Sequence, residues 1–132
     1  MDRMPETPTR QTLPKEARIR KRADFDRIFR RGLSCSDRWL TLYADGHPGP
    51  QARLGIAAGR RLGNAPRRNR CKRLVREAFR RIRAELPPGT DWVVVPRNHG
   101  PRPPSFNDYF ESLGRLTRQL IRRLRSAPPA KR

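Results

Sequence analysis

An α+β fold in one small domain is what this sequence predicts, and three observations predict it. Its 132 residues leave room for a single modest core. Apolar residues recur at helical spacing in some stretches and alternate with a period of two in others. The resulting order is helix, strand, strand, helix, strand, helix, with room for a further short strand before the central helix.

The elements follow in turn. Residues 1–17 carry Pro5, Pro8 and Pro14 among polar side chains and are expected to be a disordered tail. Ala23 to Arg31 reads as a short helix: Asp24 and Asp26 favour its first turn, Phe25, Ile28 and Phe29 share a face, and Gly32 stops it. Arg38 to Ala44 alternates as a strand, with Trp39, Thr41 and Tyr43 on one face and Leu40, Leu42 and Ala44 on the other. The turn cluster Asp45-Gly46-His47-Pro48-Gly49-Pro50 leads to a second strand, Ala52 to Ala58, and the two are expected to pair antiparallel.

Pro66 suits the first turn of the central helix because its missing N–H would be unpaired there anyway. That helix runs to about Leu86, with Cys71, Leu74, Val75, Ala78, Phe79 and Ile82 on its apolar face and Pro87-Pro88-Gly89 ending it. Trp92 to Val95 is a short buried strand, and Pro96 to Pro104 an irregular loop. Ser105 caps the last helix with Asp108 three residues on, and Phe106, Tyr109, Phe110, Leu113, Leu116, Leu120 and Leu124 form its apolar face. The ordered domain is thus expected over 18–125, with a second loose tail over 126–132.

Charge dominates the composition. Lys and Arg number 32 against 12 Asp and Glu, a net charge of +20, and only four of the 32 are lysine. No apolar run approaches the roughly 18 residues of a membrane span. The first residues hold Asp2, Glu6 and Glu16 with no apolar stretch, so no secretory signal is expected. Two cysteines, Cys35 and Cys71, cannot form a four-ligand zinc site, and Cys71 on an apolar helix face reads as a small core residue. A cytoplasmic protein is expected.

Arg60 to Arg83 holds eleven basic residues and one acid, Glu77. At about 100° per residue, Asn69, Arg73, Arg76 and Arg80 fall in one stripe opposite the apolar face. Solvated helix faces usually mix signs to gain i,i+4 pairs, whereas like charges packed this closely cost stability until an anion neutralises them. Forked guanidiniums suit phosphate, so the stripe points to nucleic acid. Conventional catalytic machinery is missing. His47 and His99 sit in Pro- and Gly-rich loops with no partner, which reads as exposed loop histidine, and acids are too sparse for an all-protein Mg²⁺ cage.

Arg60-Arg61-Leu62-Gly63-Asn64-Ala65, then Arg68-Asn69-Arg70, Lys72-Arg73 and Arg76-Glu77-Ala78-Phe79-Arg80, resembles the signature of the protein subunit of bacterial ribonuclease P. Asp24-Phe25 with Phe29, Leu42-Tyr43 and Leu54-Gly55-Ile56 stand in that family's order, so the resemblance spans about Ile19 to Leu124. Cys71 departs from the family's usual aliphatic residue, and Ala57 and Gly59 stand where some relatives carry serine.

The resemblance implies a left-handed βαβ crossover around the Arg-Asn-Arg helix. It also implies a holoenzyme that cuts the 5′ leader from precursor tRNA, with no catalytic residue in the protein. Its RNA subunit and Mg²⁺ ions would do the chemistry, no cofactor would bind the protein alone, and no protein partner or membrane would be required. Arg68, Asn69, Arg70, Lys72, Arg73 and Arg76 would contact the catalytic RNA, joined by Arg80 on the same stripe and by Arg60 and Arg61 as auxiliary phosphate contacts. Phe25, Phe29 and Tyr43 are ordinary core by spacing alone; the family places such aromatics along a cleft for the single-stranded leader, where Trp39 and Thr41 would join them. The alternative is a ribosomal or RNA-chaperone protein that binds structured RNA without a role in cleavage; a weaker one is a free-standing protein nuclease.

Overall fold

The computed structural model describes residues 13–98 and 100–126. Residues 1–12 and 127–132, which make up most of the two expected tails, and His99 lie outside the described residues.

A mixed four-stranded sheet divides the molecule into two unequal halves. Helix α1 (Arg22–Arg31) covers one face, and α2 (Ala65–Ile82) and α3 (Phe106–Ser126) cover the other. The strands are β1 (Leu33–Ser36), β2 (Leu40–Gly46), β3 (Ala52–Ile56) and β4 (Thr90–Pro96), in spatial order β1-β2-β4-β3.

That order corrects the expected pairing of 38–44 with 52–58. β2 pairs antiparallel with β4, in the register Thr41 to Val95 and Tyr43 to Val93, and β3 pairs with β4 in parallel. The physical reason lies in β4. Trp92, Val93 and Val94 are all buried, apolar toward both faces, and such a strand belongs in the middle of a sheet. The chain between β3 and β4 therefore crosses over through α2. A further short strand does precede the central helix: Leu33–Ser36 supplies β1, the antiparallel hairpin partner of β2, while Arg60–Leu62 form a 3-10 turn.

The larger core lies under α2 and α3. Leu40, Leu42, Trp92 and Val94 from the sheet meet Val75 and Phe79 from α2 and Tyr109, Leu113 and Leu120 from α3. Cys71 is buried there, as expected of a small core residue, and the Tyr109 hydroxyl donates to its Sγ at 3.2 Å. Burial raises the Tyr109 pKa, so this hydroxyl stays protonated and able to donate. Asn64 caps α2 by accepting from the Arg67 amide at 3.1 Å, and Ser105 and Asp108 form the reciprocal cap of α3.

The expected disorder over 1–17 is corrected at its end. Leu13 and Ala17 are buried in the main core, and Arg18 bridges to Leu54 beside β3. Their apolar side chains have a core to enter, which outweighs the polar, Pro-containing context that read as a tail.

Candidate nucleic-acid interface

The outer face of α2 is built as its period requires. With Cys71, Val75, Ala78, Phe79 and Ile82 turned inward, Asn69, Arg73 and Arg76 are exposed on the opposite side. Their neighbours are partly engaged. Arg68 donates to Gly63 O at 3.1 Å and Arg70 to Pro104 O at 3.0 Å, tying the helix to the loops at its start. Arg80 and Arg81 share Glu77 at 2.8 and 3.1 Å, and their hydrogen bonds and charge hold its carboxyl below the ordinary glutamate range. Of the stripe, Asn69, Arg73 and Arg76 face outward and Arg80 is held by Glu77, while Arg68 and Arg70 beside it are tied to loop carbonyls.

Lys72 and Arg76 sit at the margin of α2 nearest β3. Together with Arg18 and Arg20 they line a small pocket whose floor includes Phe25, Leu54 and Gly55. The pocket wall partly desolvates this otherwise exposed guanidinium and, reinforced by the charge of Arg18, lowers the Arg76 pKa. β3 is one of the two edge strands, so this pocket is where the α2 face passes around the sheet to the α1 face.

On the α1 face the aromatic residues come together. The Phe25 and Phe29 rings are 6.3 Å apart, and Phe29 meets Tyr43 edge-on at 4.9 Å. Phe29 is 40% exposed, while Phe25 and Tyr43 are half-buried against Ile19, Ile28 and Val93. They are neither a closed core nor a loose surface. Gly55 makes the track possible: a Cβ there would lie 2.7 Å from Phe25 Cζ.

Two positions along β2 from Tyr43, Thr41 and its partner Val95 carry the same face toward a groove of about 960 Å³ that Arg60, Arg61, Arg97 and Asn98 complete. Thr41 therefore lies on the same face of β2 as Tyr43. Trp39 packs instead against the main core, with the Arg38 guanidinium 4.8 Å over its ring. It precedes the first residue of β2, so strand alternation does not extend to it.

One feature of this face had no signature in the sequence. Asp91, fully buried on β4, receives Arg53 Nε at 2.7 Å and Arg27 at 2.6 Å. Arg27 also reaches Asp45 at 2.6 Å, clamping α1 to β2 and β4. The two carboxylates hold the Arg27 pKa up despite the opposing effect of burial. His47 belongs to this cluster, which corrects its expected exposure: its side chain is 8% exposed, 3.4 Å from Asp91. Its Nδ1 accepts from the Gly49 amide at 3.0 Å, leaving Nε2–H to donate to Gln51 O at 2.6 Å. Both ring nitrogens are thereby committed to shaping the turn.

Among the described residues no three His, Cys, Asp or Glu side chains group as a metal site would need, and no helix is long and apolar enough to cross a membrane. Chemically the surface can hold phosphates with forked donors and stack bases on half-exposed rings.

Comparison with known proteins agrees in sequence and in fold. The family model described as Ribonuclease P matches residues 13–125. The ribonuclease P protein component of Shouchella clausii is 41% identical over 102 residues, covering 76% of this chain and 83% of its own. That of Chlamydia trachomatis serovar L2 is 37% identical over 122 residues, covering 92% and 93%. Among solved structures, the RNase P protein from Thermotoga maritima superposes with a TM-score of 0.67 at 35% identity, covering 77% of this chain and 96% of that one. The Staphylococcus aureus RNase P protein does so with a TM-score of 0.68 at 31% identity, covering 78% and 94%.

Proposed function

Since this chain belongs to the ribonuclease P protein family, we propose that it serves as the protein subunit of a ribonucleoprotein that removes the 5′ leader from precursor tRNA. One observation carries this reading beyond family membership. The protein has two distinct surfaces, a phosphate-seeking helix face on α2 and a half-exposed aromatic track on α1 and β2, joined around the β3 edge.

In this reading Asn69, Arg73 and Arg76, with Arg68 and Lys72 beside them, grip the backbone of the catalytic RNA. Phe25, Phe29 and Tyr43 stack the single-stranded leader, and Thr41 with Arg60 and Arg61 lines its onward path. Arg70 and Arg80 support the helix rather than lead the contact. Bond cleavage belongs to the RNA. The carboxylates Asp45 and Asp91 are held by arginines, so Mg²⁺ is assigned to RNA phosphates and no step runs through a protein-bound ion. Cytoplasmic residence fits this role.

Reconstitution tests it. Nuclease-free protein alone should leave precursor tRNA intact, and with a bacterial ribonuclease P RNA it should promote 5′-leader removal at low Mg²⁺. RNA binding without any gain in leader removal would instead favour a ribosomal or chaperone role. Robust cleavage by the protein alone would overturn the assignment of chemistry to the RNA.

A further inference from the structure

The α2 stripe accounts for only part of the charge, and the outer face of α3 carries a second line of arginines. Taking about 100° per residue, Arg115, Arg118, Arg122 and Arg125 fall within a narrow band opposite Tyr109, Leu113, Leu116 and Leu120, the residues α3 buries. All four arginines are exposed. Over this span the band runs about 15 Å along the helix. Glu111 at its amino-terminal end is the one acid on the line. Arg115 is matched, by Asp37 at 2.5 Å. Arg118 and Arg125 have no acidic partner among the described residues. Spacings of three and four residues place these like charges side by side, which costs helix stability in the absence of an anion.

Placement decides what this band can meet. α2 and α3 pack against each other and bury their apolar faces in the same core on the same side of the sheet. Their outer faces therefore look the same way, and packed helix axes lie about 8–10 Å apart. Asn69 and Arg73 on one helix and Arg118, Arg122 and Arg125 on the other are therefore exposed on the same side of the sheet, with Arg76 at the β3 margin of that side. Phe106, stacked on Phe110 and covered by the Arg81 guanidinium at 4.8 Å, closes the seam between the helices.

We infer that Arg118, Arg122 and Arg125 are a second backbone-binding line for the RNA that docks on α2, taking phosphates of a neighbouring segment without reading its sequence. The inference rests on the RNA-subunit role proposed above. Forked donors at one-turn intervals suit successive phosphates, and the line offers nothing else: no aromatic ring to stack a base and no apolar groove for a protein partner.

The test is the salt dependence of binding between the full chain and a bacterial ribonuclease P RNA. Arg118→Gln/Arg122→Gln/Arg125→Gln should weaken binding about tenfold or more at low salt and flatten the log–log salt slope by about 2 to 3, since each lost phosphate contact releases fewer counterions. The corresponding triple Lys variant should keep most of the slope, because it keeps the charge. Arg73→Gln/Arg76→Gln on α2, two exposed arginines of the first line, is the reference. If it flattens the slope and the α3 Gln variant does not, the α3 line is solvated and the inference falls while the RNA-subunit role stands. If neither changes the slope, the RNA-binding reading falls with it. A Lys variant as impaired as the Gln variant would also overturn a charge-based contact. The altered side chains are exposed, and unchanged thermal unfolding should verify that the variants fold.

Discussion

Phe29→Ala separates a leader-binding ring from a core ring. A fully buried Phe truncated to Ala costs about 3–5 kcal/mol of stability. Phe29 leaves 40% of its surface in water, and its ring contacts are Tyr43 at 4.9 Å and Phe25 at 6.3 Å. Water can fill the space left behind, so the folding cost should be about 2–3 kcal/mol, the fully buried figure scaled down by the exposed fraction. Against an ordinary domain stability of about 5–15 kcal/mol the variant stays folded. Binding should respond separately. A lost base–aromatic stack costs about 1–3 kcal/mol, or about 5- to 150-fold in Kd. The assay compares reconstituted holoenzyme binding to leader-bearing precursor and to mature tRNA, with thermal unfolding of the same protein preparation. Leader-bearing substrate should weaken selectively, and Phe29→Trp should recover most of the loss. Equal losses on both RNAs, or a stability loss with no selective effect, would refute the cleft.

Two further outcomes follow from the ionic contacts. Asp91→Ala removes the buried partner of Arg27 and Arg53, and urea denaturation should show a loss of about 3 kcal/mol, moderated because both guanidiniums keep some contact with water; an unchanged midpoint would show that the cluster contributes nothing. Burial alone would raise the Asp37 pKa, but hydrogen bonds from Ser112, the amides of Trp39 and Leu40, and Arg115 outweigh it and lower the value. A lowered folded-state pKa gives stability that is complete above the unfolded Asp value of about 3.9 and is lost as pH falls through the folded value. Asp37→Asn should therefore be less stable than wild type near neutrality, with the gap closing in acid; a gap independent of pH would contradict the assignment.

What the sequence made legible was set by local period. The faces of α2 and α3 follow from residue spacing alone, and Asn64, Pro66, Ser105 and Asp108 mark their starts. Strand partners were less legible. The cluster Asp45 to Pro50 reads as a hairpin turn whether or not its flanking strands pair, and only the doubly buried Trp92, Val93 and Val94 indicate that β4 comes between them. Leu33–Ser36 carries one strong apolar residue in four, too little pattern to register as a strand before β2 is there to pair with it.

The same distinction governs the candidate site. The basic line on α2 depends on one helix and could be read residue by residue. The aromatic track depends on α1 lying across β2 and β4, and that placement is held by Arg27 reaching Asp45 and Asp91 across 18 and 64 residues of chain. No periodic signal links those positions. A buried carboxylate needs its arginines once it leaves water, so Asp91 constrains where α1 can sit more sharply than apolar contact would. The rings of Phe25 and Phe29 are thus positioned by a charge cluster that touches neither of them in sequence, and the half-exposure that suits them to stack a base is set from the far side of the helix.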